Sequence, residues 1–279
     1  MNNIFISTGG FDEPAYKAVK KLIKEGINDI ELSGGEYHGL NLTEVLKLKR
    51  NFRIHNYFPP PKIPFVLNVA SANDSILKKT MKHIFASINL AKKLKSKYYS
   101  FHAGFLLDPD VKMLGKKFSP ILLQNRIDCL NNFKKNVFKI SNYAKLNNIE
   151  ILIENNVVTK ENYELFGQNP FLLSNPKEIS EFFLKAPSNV GLLMDVGHLK
   201  VSSKTENFSK EKALMQLNKF VKCYHLSEND SRTDSNKPFN SSSWFLKNLK
   251  KDLDYYTIEV YTKSIKTLKK QLSIIKNYI

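Results

Sequence analysis

Short apolar runs alternate with longer stretches of helical period from one end of the chain to the other. The apolar runs are rich in β-branched and aromatic residues and predict strands at 3–7, 29–32, 52–56, 98–102, 150–154, 191–195, 222–226 and 256–260. Amphipathic periodicity predicts helices at 13–25, 74–94, 121–146, 176–183, 210–220, 242–249 and 265–275, with a shorter one at 43–48. Local signals support two helix ends. Asn175-Pro176-Lys177-Glu178 combines an N-cap residue, a proline at the first helical position and a glutamate at the third, and Gly26 stops the first helix.

Near-continuous apolar strands separated by helices imply a parallel sheet with both faces covered. The length of 279 residues suits one (β/α)8 TIM barrel, read as a single α/β domain over residues 1–279. An open doubly wound sheet is the rival, and it commonly carries a glycine-rich phosphate loop after its first strand. Here Thr8-Gly9-Gly10-Phe11 follows that strand without such a motif, so the glycines read as turn residues. The longest loops are expected at 108–119, 157–175 and 228–243.

Several apolar runs end on residues that ligate metals. Glu154 closes ILIE, Asp195 and His198 follow LLM, His225 closes CYH, and Glu259 follows YYTI. His55 and His102 end two earlier runs. Acids and imidazoles are costly to bury alone. A parallel barrel gathers the C-terminal ends of its strands on one face. The repeated placement therefore predicts one convergent site. Alone, each residue has a plainer reading: a satisfied loop histidine, a buried ion pair, or a turn cap for Asp195.

Composition changes the picture little. The formal charge is +17, but the only arginines are Arg50, Arg53, Arg126 and Arg232. Arginine is the residue suited to bidentate phosphate recognition, and the lysines recur in helical segments, as in Lys78-Lys79, Lys92-Lys93 and Lys134-Lys135. Solvated helix faces are the favoured reading over a nucleic-acid surface. Abundant lysine and asparagine are also what an AT-rich coding sequence produces. No apolar run approaches the roughly 20 residues that span a bilayer. The N-terminus lacks a basic n-region, and Cys129 and Cys223 are too few for a disulfide framework, so a cytoplasmic location is expected.

Glu154, Met194-Asp195-Val196-Gly197-His198, His225-Leu226-Ser227-Glu228-Asn229-Asp230 and Glu259 together resemble the xylose isomerase-like TIM-barrel superfamily. That group holds sugar and sugar-phosphate isomerases and epimerases, and endonuclease IV. The resemblance implies one divalent metal (Mn2+, Mg2+, Zn2+, Co2+ or Fe2+) on Glu154, Asp195, His225 and Glu259. It implies proton abstraction beside a carbonyl through a metal-stabilised enediolate, with Glu154 and Glu259 as the catalytic acid–base pair. His198 matches a substrate-binding histidine, and Arg232 is placed like a substrate-contacting arginine, though it reads equally as an exposed loop residue. Hydride-shift isomerisation fits less well, because Asn155-Asn156 offers no lysine beside Glu154.

Endonuclease IV is the competing resemblance. Its zinc site is matched further by His55, His102, His198 and Asp234, and Tyr57-Phe58 stands where an apolar wedge for opened DNA could. The departure is Asp234-Ser235-Asn236, where that family has an Asp-x-His pair. A non-catalytic carbohydrate-binding barrel is the third reading. The expected partner is a small sugar or sugar phosphate, with specificity drawn from rim loops that carry Phe11, Tyr37, His38, Tyr57 and Trp244, each of which reads equally as a packing residue.

Overall fold

The computed structural model describes residues 3–279. Eight strands close into a parallel barrel in chain order: β1 (Asn3–Ser7), β2 (Asp29–Leu32), β3 (Asn51–His55), β4 (Tyr98–His102), β5 (Glu150–Glu154), β6 (Val190–Asp195), β7 (Val221–Leu226) and β8 (Tyr255–Ile258). Closure runs through β8 and β1, with Ile4 paired to Tyr256 and Ile6 to Ile258. Around the strands lie α1 (Ala15–Lys24), α2 (Asn41–Lys47), α3 (Asp74–Lys93), α4 (Arg126–Leu146), α5 (Lys160–Phe166), α6 (Pro176–Phe183), α7 (Val196–Thr205), α8 (Lys210–Leu217) and α9 (Ile265–Lys276).

The strands are apolar nearly throughout because both faces are covered. Ile6, Ile30, Ile54, Tyr99, Ile153, Met194, Tyr224 and Ile258 pack outward with the helices in one large core. The alternate positions point inward, as strand geometry requires. Phe5, Tyr98, Leu152, Leu193, Cys223 and Tyr255 form a separate apolar cluster that plugs the barrel interior. Further along the same inward positions stand Glu31, His55, His102, Glu154, Asp195 and His225. The inward face of each strand thus changes from apolar to polar toward its C-terminal end.

Arg53, on the inward face of β3, is largely buried in this plug. Its guanidinium lies 4.7 Å from the Phe5 ring centre, 5.2 Å from Tyr255 and 5.8 Å from Tyr98. Arg53→Ala removes the cation–π contacts and leaves a void between three rings. The expected loss is at least ~3 kcal/mol, read as a lower urea midpoint at unchanged slope.

The helices differ from the sequence expectation in five places, one of them α7 (Val196–Thr205), which no expected helix covers. Residues 242–249 form only a 3-10 turn at Leu246–Asn248. Asn240 Oδ1 takes the Ser242 N–H and hydroxyl, and the Asn240 N–H donates to Ser243 Oγ, so side chains compete with the helix ladder. α4 begins at Arg126 rather than at 121, because Asn125 caps the Ile127 and Asp128 amides. α8 stops at Leu217, short of 220. Within the expected loop 157–175, α5 forms between a Thr159 cap and Gly167 at φ 63°. The lysine pairs on α3 and α4 are exposed, as solvated helix faces. Among the described residues no helix is long and apolar enough to cross a membrane.

Candidate metal centre at the strand ends

The barrel brings Glu154, Asp195, His225 and Glu259 together. One ligand atom from each lies within 4.8 Å of all the others. Glu154 and His225 end the inward faces of β5 and β7. Asp195 ends β6 and also caps α7, its Oδ1 accepting the His198 N–H at 2.7 Å. Glu259 follows β8, tied by its own N–H to Leu226 O. The cap reading and the ligand reading of Asp195 therefore hold on different oxygens, since Oδ2 remains buried without a hydrogen bond.

Asparagines position this backbone. Asn155 grips Asp195 from both sides, donating to its carbonyl at 3.1 Å and accepting its N–H at 2.8 Å. Asn229 donates to Gly197 O, and Asn236 donates to Glu259 O at 3.1 Å from a left-handed backbone at φ 41°. Asn236 is thus occupied in holding the β8 end. Gly197 has no room for a side chain, because a Cβ there would stand 2.8 Å from Ser227 Oγ and 3.1 Å from Asp195 Oδ1.

His55 and His102 also face Glu154. His55 Nε2 is 3.3 Å and His102 Nδ1 3.4 Å from Glu154 Oε2, while His225 Nδ1 is 3.3 Å from Oε1. The two carboxylate oxygens therefore serve different sides of the site. His198 Nδ1 contacts Asn155 O at 2.8 Å, so that nitrogen carries its proton and is not free to ligate. Its Nε2 faces Asp234 Oδ2 at 3.0 Å. Arg232 is not brought in: its side chain is exposed, and its N–H is held by Asp230 Oδ1.

At the rim the packing reading holds for most of the residues, and the wedge expectation is corrected. Phe58 is fully buried and cannot act as a wedge, and the Tyr57 hydroxyl accepts the Leu67 N–H. Phe11 is buried in the core, His38 packs on Tyr16, and Trp244 lies edge-on to Phe245 under Lys210. Only Tyr37, of the five rim residues expected to set specificity, is a large exposed apolar side chain.

Sequence reading passed over Glu31. It is fully buried on β2, 2.8 Å from His225 Nε2. The signal was present, an acid between Ile30 and Leu32, but the apolar run continues past it instead of ending on it.

The electrostatics follow from burial and crowding. Burial alone raises the Glu154 carboxyl, but His102, His225 and His55 outweigh it and hold it well below the usual range. Burial pushes Asp195 up to about 7, partly opposed by His198 and reinforced by Glu154 and Asp234. Burial lowers His55 to about 3 against the pull of Glu154. At His225 burial is overcome by Glu31, Glu259 and Glu154, and at His198 by Asp195 and Asp234, so both are held well above the ordinary imidazole value.

The donor set fits a divalent cation. Glu154 Oε1 and Oε2, Asp195 Oδ2 and His225 Nδ1 are buried and lack hydrogen-bond partners. Buried polar atoms are normally satisfied, and one imidazolium cannot balance the three carboxylates around it. The mixture of carboxylate and imidazole suits several divalent ions and selects none.

No curated protein matches the chain in sequence. Solved structures share its fold. A D-tagatose 3-epimerase-like protein superposes with TM-score 0.73 at 18% identity, over 99% of this chain and 96% of the other. An L-ribulose 3-epimerase gives 0.67 at 16% identity, over 98% and 86%. The TTHB071 protein of Thermus thermophilus, soaked with ZnCl2, gives 0.63 at 15% identity, over 99% and 98%. The profile of the xylose isomerase-like TIM barrel matches residues 16–270. The chain is a member of the xylose isomerase-like TIM-barrel family.

Proposed function

We propose that the protein is a divalent-metal-dependent sugar isomerase or epimerase, with Glu154, Asp195, His225 and Glu259 as metal ligands and Glu154 and Glu259 as the acid–base pair. The observation that carries this is the buried four-residue donor set with unpaired oxygens and an unpaired imidazole nitrogen. Fold likeness to proteins described as a D-tagatose 3-epimerase-like protein and an L-ribulose 3-epimerase supports a sugar substrate.

The bound cation supplies carbonyl polarisation and offsets the negative charge that develops as a proton leaves the adjacent carbon. Glu154, held ionised by its histidines, is ready to accept that proton. Glu259 approaches from the end of β8, three strands away, and can return a proton to the other face. His198 has both ring nitrogens engaged, by Asn155 O and Asp234, so it brings a rigid positive charge to the site. Exchange of the proton beside the carbonyl for deuterium, in ketoses incubated with Mn2+-loaded protein in D2O, tests the proposal. No exchange across a panel of ketoses sinks it.

One observation favours a second reading. His55 and His102 converge on Glu154 Oε2, as a second cation would require of an endonuclease IV-like site. Cleavage of abasic duplex DNA, lost in Glu154→Gln, would establish that reading instead. The buried Phe58 and the engaged Asn236 weigh against it.

The pH dependence of metal binding follows from Asp195. In the metal-free protein its proton leaves at about pH 7, and the cation binds the ionised form. Mn2+ affinity is therefore expected to fall by at least about tenfold per pH unit below 7. Calorimetric titrations between pH 5.5 and 8.5, as ~0.5-unit steps, measure this. A flat profile means that Asp195 is not a ligand.

A further inference from the structure

We infer that Glu31 is a positioning residue for the metal centre: it holds the His225 imidazole so that Nδ1, and not Nε2, faces the cation. This rests on the metal-dependent reading above. Three observations lead to it. Glu31 is fully buried on the inward face of β2, where an unpartnered carboxylate would be costly. Its Oε1 stands 2.8 Å from His225 Nε2, and its Oε2 accepts the Thr257 hydroxyl at 3.0 Å. On the opposite edge of the same ring, Nδ1 faces Glu259 Oε2 at 2.9 Å and Glu154 Oε1 at 3.3 Å.

The ring is therefore pinned between carboxylates on both edges. A carboxylate against Nε2 keeps a proton on that nitrogen, so the proton that a cation displaces is the one on Nδ1. The Nδ1 lone pair, Glu154 and Glu259 then become ligands together. A metal-ligating histidine usually gives its second ring nitrogen to a carboxylate, carbonyl or water, and loss of that partner weakens metal binding. The Glu31 approach lies off the N–H axis, since neither atom is hydrogen-bonded, so it is a close charge contact in this structure and not an aligned bond. Thr257 fixes the carboxylate from β8, and β2, β7 and β8 are thereby coupled through side chains inside the barrel.

The test is calorimetric titration of Mn2+ alone into the full chain after chelation, for wild type, Glu31→Gln and Thr257→Val, with thermal melts of each metal-free protein. Glu31→Gln is expected to weaken Mn2+ binding roughly 10- to 100-fold, while its metal-free melting temperature stays level or rises, because a buried carboxylate has been neutralised. Thr257→Val, which leaves the charge in place, is expected to lose less affinity in the same direction. A lower metal-free melting temperature with unchanged Mn2+ affinity overturns the inference and makes Glu31 a structural residue. If Glu31→Gln does not fold, Thr257→Val decides: unchanged affinity there overturns the inference. Wild type that binds no Mn2+ overturns the metal-dependent reading and this inference with it, an outcome separate from binding that the variants leave untouched.

Discussion

Glu154→Gln and Glu259→Gln are each expected to lower the rate of epimerisation by about 10^2- to 10^4-fold, the usual weight of a positioned acid or base. Glutamine keeps the shape of each side chain, so the barrel is expected to fold and the loss to fall on the site, in metal binding as well as in proton transfer. The two variants are expected to fail differently. If each carboxylate serves one face of the reacting carbon, the surviving one still exchanges the proton of one epimer with D2O while inversion stops. Glu154→Gln and Glu259→Gln should then retain exchange from opposite epimers. The measurement is deuterium incorporation by mass spectrometry beside product analysis, starting from each epimer in turn. Glu154 is expected to show the larger defect, because its Oε1 and Oε2 face His225 on one side and His55 and His102 on the other. If neither variant changes any activity, the site is not catalytic, and a carbohydrate-binding barrel becomes the better account.

The second large effect is thermal. A cation present at about 100 times its dissociation constant adds ~2.7 kcal/mol, which for a chain of this size corresponds to a rise of roughly 5 °C in melting temperature. Chelation should reverse it. Asp195→Asn separates the ligand role from the structural one. Asparagine caps a helix as well as aspartate does, so the bond from the His198 N–H can persist. Asp195 Oδ2, which has no hydrogen bond in the metal-free chain, is the atom removed from the cation. The metal-free variant is therefore expected to melt close to wild type, while the shift on adding Mn2+ shrinks sharply. An equal shift in both proteins excludes Asp195 as a ligand. Ion content of the loaded protein then counts the sites: one per chain supports the sugar enzyme, and a second, lost with His55→Ala, supports the paired arrangement around Glu154 Oε2.

Alternating patterns carried the barrel through to individual strands because burial on both faces leaves a strong, local mark. Ile151-Leu152-Ile153 is apolar whichever way each side chain points, and Glu154 interrupts it at the strand's end. The same logic marked Asp195, His225 and Glu259. Glu31 escaped it because Leu32 follows, so its burial depended on which face of β2 turned inward. Asparagine abundance looked like base composition, yet Asn155, Asn229 and Asn236 are what hold Asp195, Gly197 and Glu259 in place.

By itself, the chain's pattern determined the parallel barrel and the acids and imidazoles that end its strands, because strand period and the cost of buried charge act over a few residues. Only the tertiary structure decided which of them meet. Arg232 and His198 are both polar residues downstream of a strand, yet one stays in solvent and the other is fixed between Asn155 and Asp234. Contacts of that kind join residues from different strands through barrel closure, helix caps and side-chain clamps. No periodicity within a single segment encodes them.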